Sequence, residues 1–96
     1  MKKLFVSQPM KGKSDAEILA ERQTAIEVAE KLLGEKVEII DSFFQGNTMT
    51  ALECLGESIK LLAQADIVYF APGWEDARGC KVEFQCAVAY NVPFFV

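Results

Sequence analysis

The chain has 96 residues, 51% hydrophobic and 25% charged, with a net charge of -4 and a sequence pI near 4.8. At that length a single domain over residues 1–96 is expected, burying roughly 60–65% of its unfolded surface in one core, and the apolar content excludes a disordered chain. The acidic balance argues against a polymeric nucleic-acid partner, which needs surplus lysine and arginine. No apolar run approaches the about 20 residues of a membrane span, and the run after "MKK" is too short for a signal-peptide core, so no membrane association and a cytoplasmic location are expected.

In chain order, "KLFV" at 3–6 reads as a buried strand ended by the loop "SQPMKGKS". Ser14 and Glu17 match a capping box, and Ile18, Leu19, Ala25, Ile26, Ala29, Leu32 and Leu33 form a helical stripe closed by Gly34, which predicts a helix over 15–33. "VEII" at 37–40 is the second strand and "DSFFQGNTMT" at 41–50 a loop. Thr50 and Glu53 repeat the capping box ahead of Leu52, Leu55, Ile59, Leu62 and Ala63, a second helix. "DIVYFA" at 66–71 is short, β-branched and aromatic, hence a third strand stopped by "PG". Beyond it Val82, Cys86, Ala89 and Tyr90 recur at helical spacing, and "PFFV" is a fourth strand.

Alternation of strand and helix with right-handed crossovers predicts a small flavodoxin-like or Rossmann-like α/β fold: about four parallel strands in order 2-1-3-4 with helices on both faces. Ligands of such sheets occupy the crevice at the carboxyl ends of the strands, at the switch between strands one and three. The loops flanking that switch are "SQPMKGKS" and "APGWEDARG".

The chemistry available there is restricted by the absence of histidine, which removes serine-histidine and cysteine-histidine nucleophile systems and histidine metal sites. Cys54, Cys80 and Cys86 form no CxxC pair, so neither zinc nor any other cofactor is expected; they read as small buried hydrophobes, although Cys80 falls near a helix amino terminus whose dipole can lower a thiol pKa. Carboxylates are the remaining candidates, and Glu75, Asp76 and Glu83 lie within nine residues. One carboxylate can attack an anomeric carbon while a second group protonates the leaving base. The competing reading makes Asp76 a helix cap, Glu75 a solvated charge and Glu83 a surface ion pair with Lys81 or another lysine. Gly12 and Gly79 allow close backbone approach to a ligand, and Lys11 or Arg78 can pair with a phosphate. Trp74 either closes over the core or stacks on a flat ligand such as a nucleobase.

"FVSQPMKGK" after the first strand and "ADIVYFAPGWEDARGCKVEFQCAVAYNVP" near the end, with the spacing between them, resemble the nucleoside 2-deoxyribosyltransferase-like superfamily over nearly the whole chain. The likeness is greatest to its small uncharacterised bacterial and phage branch. The resemblance implies oligomers that share residues between neighbouring sites, here a homodimer or larger homo-oligomer, and cleavage or exchange of the N-glycosidic bond of a deoxynucleoside or its 5'-monophosphate. The family's nucleophilic glutamate falls on Glu83, four residues after Gly79, and its sugar- or phosphate-holding loop on Ser7 to Gly12, which includes Gln8, Met10 and Lys11. Two positions depart. Phe5 stands where characterised members carry a tyrosine that contacts the nucleophile, and Ser58 where they carry an aspartate, while Asp76 lies one residue further from the glutamate than the corresponding acid. The expectation is therefore an enzyme of slow turnover acting through Glu83; the alternatives are a non-catalytic nucleotide-binding or sensing module and an accessory protein that works through its surface.

Overall fold

A computed structural model describes residues 1–44 and 48–96, as an α/β domain. Strands β1 (Lys2–Ser7), β2 (Val37–Ile39), β3 (Ile67–Phe70) and β4 (Phe94–Phe95) form one parallel sheet in the order β2-β1-β3-β4, joined through helices α1 (Asp15–Leu33), α2 (Ala51–Leu62) and α3 (Arg78–Ala89). Of the segment 41–50 read as loop, residues 45–47 lie outside the described residues, and the flanking positions carry no regular structure.

Side-chain alternation along β1 assigns the two layers. Leu4 and Val6 face one way, packing with Ala25 and Ala29 of α1, Val37 and Ile67. Phe5 faces the other way, with Val68, Phe70, Leu62 of α2 and Ala87 of α3. Helices thus cover both faces of the sheet. Ser7, two residues beyond Phe5 and paired with Phe70, belongs to the α3 side, and that parity decides which helix its hydroxyl meets.

Both predicted capping boxes are formed. Ser14 Oγ accepts from the Glu17 amide and Glu17 Oε1 from the Ser14 amide, and Thr50 with Glu53 repeats the arrangement at α2. Gly34 ends α1 at φ 71°, its amide donating to Glu30 O, a conformation that charges a side chain steric strain.

The helix stripes read from sequence need correction. On α1 the buried positions are Ile18, Arg22, Ala25 and Ala29, while Leu19 and Leu32 are exposed. On α3 they are Cys80, Glu83 and Ala87, whereas Ala89 and Tyr90 face outward. In both cases a charged residue occupies the inward stripe, and a reading that sorts faces by hydrophobicity rotates the helix away from it.

Candidate functional site

The end of β1 and the start of α3 open onto a cavity of about 320 Å³, at the lower edge of the roughly 300–1,000 Å³ typical of small-molecule sites. Glu83 enters it from the second turn of α3, with Cys80 one turn earlier and Gly79 at the rim. The opposite wall comes from the loop after β2, with Ser42, Phe43 and Phe44, and from α2, with Cys54, Leu55 and Ser58. Phe5, Gln8 and Met10 complete it from β1 and its loop. Among the described residues Glu83 is the only carboxylate lining this space.

Glu83 is 7% exposed and makes no ion pair among the described residues, which overturns the surface-pair alternative with Lys81. Its Oε1 accepts a 2.6 Å hydrogen bond from Ser7 Oγ. Burial raises its pKa from 4.5 to about 6, and the Ser7 hydroxyl pulls in the opposite direction. The helix dipole does not govern this carboxylate. Glu83 stands beyond the first turn, where the dipole has faded, and desolvation prevails. Cys80 follows the same rule: burial pushes its thiol pKa up, opposed by a contact with Ser7 and reinforced by the neighbouring Glu83 charge. Ser7 therefore touches both Glu83 and Cys80.

A second, more polar cavity of about 510 Å³ adjoins the first. It is lined by Lys11, Asp76 and Arg78, all exposed, while Met10 and Gly79 border both spaces. Asp76 ends a 3-10 turn over Trp74–Asp76 and is thus separated from the Glu83 cavity. It does not cap α3 either: the N-cap is Ala77, with no side-chain cap. A side chain at Gly79 would approach Leu55 Cδ1 at 3.9 Å, an ordinary contact, so protein crowding does not demand glycine there. Gly12 has φ 78° and nothing within 4 Å of a would-be Cβ, so its backbone turn, not close packing, sets the residue type.

Trp74 takes the core alternative. Its ring stacks on Phe84 at 4.5 Å and packs against Phe70 at 5.4 Å, and it lines neither cavity. Gln8 is on the cavity wall but its amide is engaged: Oε1 accepts from Arg22 Nη1, and Nε2 donates to Ile18 O and Glu21 Oε1. Arg22 and Ser42 were absent from the sequence-derived site. The signal for Arg22 was its place in the series 18, 22, 25, 29, the buried face of α1.

A four-stranded parallel sheet covered by helices places the chain in the α/β class, with a desolvated carboxylate at its switch-point crevice. Within that class, the chain belongs to the family described as domain of unknown function DUF4406, whose model matches residues 2–95. No curated protein matches the chain.

Proposed function

We propose that the protein acts on the N-glycosidic bond of a deoxynucleoside or its 5'-monophosphate, with Glu83 as nucleophile. The observation that carries this reading is a buried carboxylate, hydrogen-bonded by Ser7, facing a largely apolar cavity at the sheet's switch point; the resemblance of the "PGWEDARG" and "SQPMKG" segments to nucleoside 2-deoxyribosyltransferases supports it. A Glu83 oxygen attacks C1' of the sugar, the C1'–N bond breaks, and its electron pair leaves with the base, which takes a proton from water. Water or a second base then attacks C1' of the glycosyl ester and frees Glu83. With a pKa of about 6, roughly nine-tenths of Glu83 is ionised at pH 7, as a nucleophile requires. Ser7 supplies the hydroxyl contact that Phe5 cannot, because strand alternation puts both residues on one face.

A second reading, a nucleotide-binding module without turnover, is favoured by one fact: among the described residues no other carboxylate lines the Glu83 cavity, so the leaving base has no acid of its own there. Incubation with deoxynucleosides and 5'-monophosphates, following free-base release and thermal shift together, separates the two. Base release that is lost in Glu83→Gln supports the enzyme. Stabilisation without release assigns the module, and release that survives Glu83→Gln removes Glu83 from the mechanism.

The proposed homodimer or larger assembly draws on exposed apolar groups at the β4 edge, Phe94 and Val96, and on Leu52 of α2. Light scattering at micromolar concentration tests it, and a monomer refutes it.

A further inference from the structure

Behind the cavity wall lies a buried cation with no carboxylate in hydrogen-bond contact among the described residues. Arg22 is 6% exposed; its Nη1 donates to Gln8 Oε1 at 3.0 Å, and its Nη2 donates to Ile40 O at 2.9 Å and to Ser42 Oγ at 3.1 Å. A guanidinium offers no lone pair, so the direction of the last bond is fixed and Ser42 is its acceptor. Gln8 is held by the same network and cannot take the serine proton through its amide nitrogen, which itself donates to Ile18 O and Glu21 Oε1. The Ser42 proton has no acceptor among the described residues, although Ser42 is only 5% exposed and lines the Glu83 cavity. A hydroxyl that accepts from a cation becomes a stronger donor, and an acceptor placed in the cavity beside Ser42 would make use of it. The surroundings say what shape of ligand would satisfy it. Phe43 and Phe44 adjoin Ser42 on the wall, with Met10 and Leu55 also lining the cavity, a setting for a flat apolar ring more than for a hydrated phosphate.

We propose that Ser42 is a specificity-determining donor that reads an oxo group on the edge of a nucleobase, with Arg22 as the positioning residue that fixes its direction. The inference rests on the cavity being the nucleoside site proposed above and adds which bases it takes: those presenting a carbonyl oxygen at this edge, in preference to those presenting an amino group. A site built to donate one hydrogen bond rejects a partner that also donates, because both donors are then left unpaired.

Calorimetric titration of hypoxanthine and adenine tests this, since the pair differs in the oxo and amino substituent and in the ring proton that accompanies it. Wild-type protein is expected to bind hypoxanthine about tenfold more tightly. Ser42→Ala should bring the two within about twofold, and Ser42→Thr should keep the preference. Arg22→Lys, which keeps charge but cannot hold three partners at once, should weaken hypoxanthine binding without adding to Ser42→Ala in the double variant. Should Arg22→Lys fail to fold, the Ser42 pair decides alone. Equal or tighter adenine binding, a preference that survives Ser42→Ala, or no binding of either base overturns the proposal. Free-base binding needs no turnover, so the outcomes are separable. A Ser42-dependent preference without release of base from deoxynucleosides sinks only the glycosidic reaction. Release with a deoxyinosine to deoxyadenosine ratio of kcat/KM unmoved by Ser42→Ala sinks only the Ser42 assignment.

Discussion

Ser7 donates a 2.6 Å hydrogen bond to Glu83 across the junction of β1 and α3, joining residues 76 apart in sequence in a buried contact. A hydrogen bond to the charged form favours ionisation, so this contact offsets part of the desolvation that raises Glu83 to about 6. Replacing Ser7 with Ala removes that support. The Glu83 pKa should then rise further, and the acidic limb of the pH–rate profile should move to higher pH. Base release at pH 7 is expected to fall about tenfold, the equivalent of roughly 1.5 kcal/mol for a hydrogen bond to a charged group. Ser7→Thr, which keeps the hydroxyl, should restore most of it. A limb that does not move in Ser7→Ala separates the hydroxyl from the ionisation.

The same carboxylate makes stability depend on pH. Its folded pKa of about 6 lies above the ordinary 4.5, so between these values the folded protein holds more protons than the unfolded chain. Stability is therefore greater below pH 4.5 on this account and declines as pH rises through 6, by about 2 kcal/mol in total. Glu17 and Glu53 act in the opposite sense. Their pKa values are lowered, first by hydrogen bonds from the Ser14 and Thr50 amides, so their contribution is present above 4.5 and lost as pH falls below it. Urea midpoints measured from pH 4.5 to 7 should fall in the wild type and stay nearly level in Glu83→Gln. Parallel curves for the two proteins would show that Glu83 is not the group responsible.

Trp74 is expected to matter for stability rather than for ligand affinity. Its stacking on Phe84 and contact with Phe70 close the aromatic cluster on the α3 side of the sheet. Trp74→Ala should cost about 2–3 kcal/mol, less than for a wholly buried ring because the side chain is only half-buried. Trp74→Phe should recover most of that loss. A variant of native stability with weakened nucleotide binding would return Trp74 to the ligand.

How far the sequence announced this molecule depends on which side chains obey the hydrophobic pattern. The third strand, both capping boxes and the Gly34 stop were legible because each rests on a local rule: a short β-branched run, an S/T-x-x-E spacing, a glycine at positive φ; the strand order followed from the alternation of strands and helices with right-handed crossovers. Glu83 and the loop after β1 were legible as a candidate site because a switch-point crevice collects them. Arg22 and Ser42 were not, since their pairing is tertiary, linking the middle of α1 to the end of β2, and a charged residue on a helix reads as solvent-facing until its partners are known. Asp76 lies along the adjoining cavity for a related reason. Nearness to Glu83 in sequence suggested nearness in space, but the 3-10 turn carries it to the neighbouring cavity.

That neighbouring cavity gives the fourth prediction. Lys11 lines it from the loop after β1 and Arg78 from the first position of α3, and it meets the Glu83 cavity at Met10 and Gly79. A deoxynucleoside bound over Glu83 would direct its 5' substituent that way. A 5'-monophosphate should therefore raise the melting temperature more than the parent nucleoside, through linkage of binding to the folded state. Lys11→Ala and Arg78→Ala should each reduce that difference, and the effect should weaken with added salt because both cations are exposed. Equal shifts for nucleoside and nucleotide would mean that these residues read no phosphate.

The last prediction follows from what the Glu83 cavity lacks. Departure of a base is assisted when an acid protonates it, yet the described lining of the cavity contains no carboxyl group except Glu83. Ser58 of α2 lines the same wall and is half-buried, so a carboxyl placed there would share the desolvated space with Glu83. Two carboxyl groups in one low-dielectric cavity do not both ionise readily; their protons leave in separate steps, and the intermediate state holds one nucleophile and one acid. Ser58→Asp should thus raise kcat for base release at pH 6–7 by at least about tenfold, at the low end of general-acid effects. It should also turn a profile with one acidic limb into a bell, since deprotonation of the second carboxyl removes the acid. Ser58→Asn, matched in size but without the proton, separates chemistry from packing and should give neither effect. If Ser58→Asp and Ser58→Asn behave alike, either because both leave the rate unchanged or because both lower it equally, position 58 does not reach the leaving base.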